Sequence, residues 1–314
     1  MVQGWVLLRL ADAKAANGDF DQAIDYYDKF ISLIPDPAVY RRRGSAKRAM
    51  KKYDGAIADL DQAIRLKPDF ALAYRERGTV KWRKADLVGA IADFDHAIRL
   101  SPSDDLAIMK RGRARLQCDD FLAAGDDFLQ VIRLKPGVAD VYANLAMAQF
   151  RMGSLDEAFM NVSKAIELKP GIADFHIVRA KIDAARSRLD AVIADLDVAI
   201  GIRPDEATIF YDRALAKIGK GDSAGALADI DRVISLKPGF AKAYVSRGTM
   251  KHDRGDIDGA IADYSRAIEI DPSYGKAYEA RGTAKHNNGD ANGAISDYDH
   301  AIRYLPGLDR PKNS

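Results

Sequence analysis

Small and apolar residues recur along this chain at fixed distances from a series of prolines. Nine prolines stand at positions 35, 68, 102, 136, 170, 204, 238, 272 and 306; the first interval is 33 residues and the other seven are 34. Twelve residues before each proline lies a small apolar residue: Ala23, Ala56, Ala90, Ala124, Ala158, Val192, Ala226, Ala260 and Ala294. Twenty-four before, the residue is always Ala or Gly, from Ala11 and Gly44 through Gly282. Twenty-eight before it is usually aromatic, as at Tyr40, Tyr74, Tyr142, Phe210, Tyr244 and Tyr278. Between these marks apolar residues repeat at three- and four-residue spacing, as in AIADLDQAIRLKP at 56–68 and AIADYSRAIEIDP at 260–272. That is the helical period. A proline inside a helix costs about 3 kcal/mol or more, so the prolines punctuate helices. A second break inside each repeat often carries glycine (Gly18, Gly153, Gly221, Gly255, Gly289), which suits a helix C-terminus at positive φ. The pattern predicts eighteen helices and no strand.

With the punctuating proline counted as repeat position 32, repeat 71–104 carries Tyr74 at 4, Gly78 at 8, Ala90 at 20, Phe94 at 24, Ala97 at 27 and Pro102 at 32. In these six positions, and in their recurrence over residues 4–308, the chain resembles the tetratricopeptide-repeat family. The resemblance implies an all-α fold, a right-handed superhelical α-solenoid of about eighteen antiparallel helices. It implies a single array over 1–308, with repeats 4–36, 37–70, 71–104, 105–138, 139–172, 173–206, 207–240, 241–274 and 275–308, then a polar tail at 309–314. The departures are local. Position 11, Tyr in the family, is basic in seven of nine repeats, and Ile108 and His176 replace the aromatic at position 4.

The repeats can be compared with one another. Position 7 is Arg in seven of them (Arg43, Arg77, Arg111, Arg179, Arg213, Arg247, Arg281). Position 23 is Asp in the same seven (Asp59, Asp93, Asp127, Asp195, Asp229, Asp263, Asp297). The first repeat has Leu10 and Tyr26 there, and the fifth has Leu145 and Asn161, so both partners vanish together. Losing one member of a partly buried ion pair strands the other charge. The co-occurrence therefore predicts a structural Arg–Asp pair between the two helices of each repeat. An exposed pair would be worth only ~0.2–1 kcal/mol, and a solvated charged face inherited from a common ancestral repeat is the alternative.

Composition narrows the function. Over 314 residues, 48 basic and 46 acidic side chains leave a formal charge of +2, too balanced to point to nucleic acid. One cysteine, Cys118, excludes an internal disulfide and a Cys-based metal cluster. No apolar run approaches the roughly 18 residues of a membrane span, and WVLLRL at 5–10 lacks the features of a signal peptide. A cytoplasmic location is the expectation, with the reservation that Met1 almost abuts the first repeat. Phosphate-binding glycine loops, metal-spaced His/Cys sets and nucleophile motifs are missing. The acidic residues recur with the repeat, whereas catalytic chemistry occurs once. We expect no enzyme activity, cofactor or metal. His252 and His286 share position 12 and are expected on one face of adjacent repeats as solvated side chains; Cys118 is expected in an exposed turn.

The resemblance also places positions 2, 5, 9, 12 and 13 on the concave groove of such an array. Here these are Arg41, Arg48, Arg75, Arg83 and Trp82 in the second and third repeats. Leu106, Met109, Leu116, Met147, Phe150, Ile177, Tyr211, Leu215 and Ile218 follow, edged by Arg113, Arg151 and Lys181. The last repeats turn polar with Lys242, His252, Asp253, Lys276, Glu279 and His286. Apolar residues beside cations suit a protein or peptide with hydrophobic anchors and acidic flanks. Packing between repeats, or self-association, would use the same surface. A Lys/Asn clamp for a C-terminal carboxylate is disfavoured, because position 9 offers Ser45 and Thr79. An RNA-reading helical array would need polar base-reading side chains where this chain is apolar. No capping helix follows Pro306, so Trp5, Leu8, Ile295, Ile302 and Leu305 are expected partly uncovered. The array would then pair through its ends or form a segment of a larger protein.

Overall fold

The structure, a computed structural model, describes residues 2–304; Leu305, Pro306 and the tail 309–314 lie outside the described residues. Every regular element described is an α-helix. The first ten are α1 (Val2–Ala16), α2 (Phe20–Leu33), α3 (Pro37–Ala49), α4 (Tyr53–Leu66), α5 (Ala71–Arg83), α6 (Leu87–Leu100), α7 (Asp105–Gln117), α8 (Phe121–Leu134), α9 (Ala139–Arg151) and α10 (Leu155–Leu168). Then come α11 (Ala173–Ala185), α12 (Leu189–Ile202), α13 (Ala207–Gly219), α14 (Ser223–Leu236), α15 (Ala241–Asp253), α16 (Ile257–Ile270), α17 (Gly275–Asn287) and α18 (Ala291–Tyr304). The chain forms two compact units, Met1–Lys169 with α1 to α10 and Pro170–Ser314 with α11 to α18.

Each unit is an α-solenoid of helical hairpins. An odd-numbered helix pairs with the next even-numbered one, which packs on the first helix of the following hairpin, as α4 on α5 and α12 on α13. First helices also touch directly, as α3 with α5 and α15 with α17. Several helices, most of them the second of a hairpin, begin on an aspartate cap that meets backbone donors a helix start leaves unpaired. Asp86 accepts from the Gly89 N–H at 2.9 Å and Asp104 from the Ala107 N–H at 3.0 Å. At the turn inside each repeat the chain passes through left-handed backbone. Glycine fills that place at Gly18 and Gly153, but Lys51, Ala85, Asp119 and Ser187 hold it at φ of 57–63°.

The hairpin core is built from the recurring small residues. Ala56, Ala90 and Ala124 are wholly buried. Opposite them sits the glycine of the first helix. A Cβ at Gly112 would stand 2.8 Å from the Phe128 ring and 3.0 Å from the Asp127 Cβ; at Gly248 it would stand 2.7 Å from Tyr264. The missing side chain lets the two backbones close to the distance at which ring and Ala interlock.

Candidate functional site

Two features could carry function, the charged seam inside the hairpins and the exposed face of the first helices. In the seam, Arg77 donates from Nε to Asp93 Oδ2 at 2.9 Å and from Nη2 to Oδ1 at 2.5 Å. Its Nη1 reaches Asp61, on α4 of the preceding hairpin, at 2.6 Å. The guanidinium also lies over the Tyr74 ring, 5.4 Å from its centre. Arg43–Asp59, Arg111–Asp127, Arg179–Asp195, Arg213–Asp229, Arg247–Asp263 and Arg281–Asp297 form the same two-pronged contact. Each of these aspartates is buried.

A third member completes the seam. The cation at position 11 (Lys47, Lys81, Arg115, Lys217, Lys251 or Lys285) meets the same aspartate at 2.8–2.9 Å. Its recurrence is visible in sequence, but a departure from a family pattern does not say what it binds. For Asp263 and Asp297, burial opposes ionisation, yet the flanking Arg and Lys outweigh it and hold both carboxyls below the ordinary range. At Asp127 burial prevails over Arg111 and Arg115 and the carboxyl is raised. Hairpin α9–α10 replaces all three members, with Leu145, Gln149 and Asn161, and Asn161 Nδ2 donates to Gln149 Oε1 at 2.8 Å. Hairpin α11–α12 puts Asp183 in the cation's place, buried near Asp195. Burial raises the Asp183 carboxyl, against Arg188 and Arg179 and with help from Asp195. His176, in the aromatic's place, has Nδ1 3.1 Å from Asp195 Oδ1 and Nε2 3.0 Å from the Pro170 carbonyl. Every arginine of the seam is met by an aspartate, and among the described residues of the seam only Asp183 keeps a buried carboxylate oxygen without a hydrogen bond.

On the first-helix faces none of the groove candidates is buried, but they are not equally free. Arg41 pairs with Glu76 at 2.6 Å and Arg75 with Asp104 at 2.7 Å. Arg151 pairs with Asp119 at 2.9 Å and lies over Phe121. Met109, Leu116, Ile177 and Tyr211 are partly spent on the core. In the first unit Trp82, Arg83, Met109, Lys110, Arg113 and Gln117 line a cleft of about 640 Å³. Arg113 covers the Trp82 ring at 5.2 Å, and Trp82 Nε1 donates to Gln117 at 2.5 Å. Lys110 was not a candidate, yet burial and the charges of Arg48, Arg75, Arg83 and Arg113 depress its ammonium. Arg48, Arg83 and Arg113 make no ion pair among the described residues, so the cleft is basic. In the second unit Ile177, Lys181 and Leu215 border a cavity of about 310 Å³ whose walls are otherwise almost entirely aliphatic. Leu106, Leu215 and Ile218 are exposed; Met147 and Phe150 are half-buried. His252 bonds Asn287, on the next first helix, at 2.9 Å. Among the described residues no three His, Cys, Asp or Glu converge as a metal site. Cys118 is exposed in its turn, and Trp5, Ile295 and Ile302 are exposed.

Family models support the same reading of the repeats. One model described as "TPR repeat" matches residues 44–84 and 248–289, and two described as "Tetratricopeptide repeat" match 5–36 and 139–172. The chain belongs to the tetratricopeptide-repeat (TPR) family. The small glutamine-rich tetratricopeptide repeat-containing protein 2 of Saccharomyces cerevisiae is 35% identical over 65 residues, 20% of this TPR chain and 19% of that protein. The match thus spans about a fifth of the relative's length. Among solved structures, a tetratricopeptide repeat protein from Parabacteroides merdae superposes with a TM-score of 0.61 at 17% identity, covering 79% of this chain and 98% of that one. A chain of the APC/C hetero-tetramer Cut9–Hcn1 gives 0.60 at 14% identity, covering 88% and 55%. At such identities the likeness is one of fold. No described helix of this TPR protein is long and apolar enough to cross a membrane.

Proposed function

We propose that this TPR chain is a non-catalytic scaffold that holds a partner protein or peptide against the exposed faces of its first helices. The observation that carries the reading is the pairing of exposed aliphatic side chains with an open, nearly apolar cavity in α11–α13. A monomer gains nothing from leaving such surface in water. The basic cleft around Trp82 adds complementarity to acidic residues, so the partner has hydrophobic anchors and acidic flanks. One similar chain was solved within a hetero-tetramer, which fits an assembly role. The array 1–308 acting as one domain, its cytoplasmic setting and self-association through its ends belong to the same reading. Affinity capture from native lysate, with mass spectrometry, tests it. The variant carrying Phe150→Glu and Tyr211→Glu should lose the captured partner while its helical circular dichroism is unchanged. Capture undiminished in that variant would overturn the groove as the binding surface.

A further inference from the structure

The cavity in the second unit is the space of a missing aromatic ring. At repeat position 24, five repeats carry a ring: Tyr27, Phe94, Phe128, Tyr264 and Tyr298. Three others carry an aliphatic residue there, and each has a large side chain at position 12: Leu60 with Arg48, Val162 with Phe150, Ile230 with Ile218. The sixth repeat alone combines an aliphatic residue at 24, Leu196, with an alanine at 12, Ala184. Both line the cavity of about 310 Å³. Side-chain volume is absent at two places that face each other across the α11–α12 hairpin, so the slot follows from the sequence of that repeat.

One wall of the slot is polar in a way that has no internal answer. Asp212 stands at repeat position 6, where four polar side chains reach a neighbouring repeat (Arg42 to Asp12, Glu76 to Arg41, Lys110 to Thr79, Ser246 to Tyr211) and Asn144 bonds the Asp140 carbonyl of its own helix. Asp212 makes no hydrogen bond or ion pair among the described residues, although it is half-buried. Burial raises its carboxyl, with only the charge of Lys181 opposing. Lys181, exposed and also lining the slot, is likewise unpaired among the described residues. A cationic side chain entering the slot would be repelled by Lys181; a neutral ring with a donor at its end would not. Inside this chain the pairing already exists, since the Tyr27 hydroxyl donates to Asp12 Oδ1 at 2.7 Å. A cation above a ring also occurs here, Arg113 over Trp82, and such contacts are attractive.

We infer that the slot between α11, α12 and α13 receives one tyrosine side chain of the partner, its ring filling the space left by Ala184 and Leu196, its hydroxyl donating to Asp212 and Lys181 lying over its face. This rests on the scaffold reading and specifies the anchor that scaffold takes.

The test uses the full chain with 13C-labelled Ile, Leu and Val methyl groups, titrated with N-acetyl-tyrosinamide, N-acetyl-phenylalaninamide and N-acetyl-leucinamide. The tyrosine probe should shift the Leu196 and Leu215 methyl signals upfield by its ring current. It should bind about tenfold more tightly than the phenylalanine probe, the usual size of a hydrogen bond to a charged acceptor. Ala184→Phe should abolish binding of all three, and Asp212→Leu should erase the preference for tyrosine over phenylalanine; the methyl spectrum itself reports whether each variant is folded. Absence of these shifts, a leucine probe that binds as well as tyrosine, or a preference that survives Asp212→Leu would each overturn the inference. If Ala184→Phe leaves lysate capture intact while the Phe150→Glu, Tyr211→Glu variant loses it, the slot fails and the scaffold reading stands.

Discussion

Arg77 bonds Asp93 through two nitrogens, reaches Asp61 with a third and stacks on Tyr74. A side chain with that many obligations leaves several groups stranded when removed. Arg77→Leu should lower stability by about 3 kcal/mol, as expected when one partner of a buried pair is lost, read from the urea unfolding midpoint. The hairpin α9–α10 indicates how to recover it, because Leu145, Gln149 and Asn161 occupy the same three places without net charge. The triple variant Arg77→Leu, Lys81→Gln, Asp93→Asn should regain most of the loss; if it is no better than the single variant, the seam is not an interchangeable set. Asp183 is the converse case, a carboxylate where its sister repeats have a cation. Its folded pKa is raised by burial, so above that value the ionised form weakens the fold, and stability returns as pH falls toward the ordinary Asp value of about 3.9. Asp183→Asn should therefore raise the thermal midpoint near pH 7. The gain should shrink on acidification through that window, and a gain independent of pH would refute the cause.

The hairpin imposes different demands on its two ends and its middle. In the turn, Ala85 sits at φ of 63°, a conformation that costs an L-residue roughly 1–2 kcal/mol. Ala85→Gly should recover about 1 kcal/mol after glycine's greater unfolded-state freedom is subtracted, measured by thermal denaturation. At the crossing of α7 and α8 the requirement is reversed. Gly112→Ala should cost about 1–3 kcal/mol through overpacking against Phe128, because both nearby atoms belong to a filled core. Both turn and crossing show in the sequence as places that favour glycine. Only the backbone angles and the ring contact separate a glycine needed for its φ from one needed for its missing Cβ.

Within each unit a helix packs on its neighbours in the chain and on the next hairpin's first helix. Stability in such arrays is close to a sum of local and nearest-neighbour contributions. Amide hydrogen exchange on Gly112→Ala should accordingly show lost protection in α6 to α9, while α1 to α4 keep theirs. Uniform loss through the first unit would mean that it opens only as a whole.

The recurrence of Pro, Ala, Gly and aromatic residues determined by itself the helical hairpin and its period, because a helix and its buried stripe are set by side chains a few residues apart. The matched recurrence of Arg and Asp, and its paired exceptions, were equally legible, being a comparison of like positions along one chain. Tertiary structure decided which charges are spent and which are free. Arg41 and Arg75 are consumed by Glu76 and Asp104, residues about a full repeat away whose reach depends on how closely the helices lie. It also decided that Ala184, Leu196 and Asp212, drawn from three helices, enclose one cavity. A void is made by side chains that are small relative to the gap between backbones, and that gap exists only once the helices have packed.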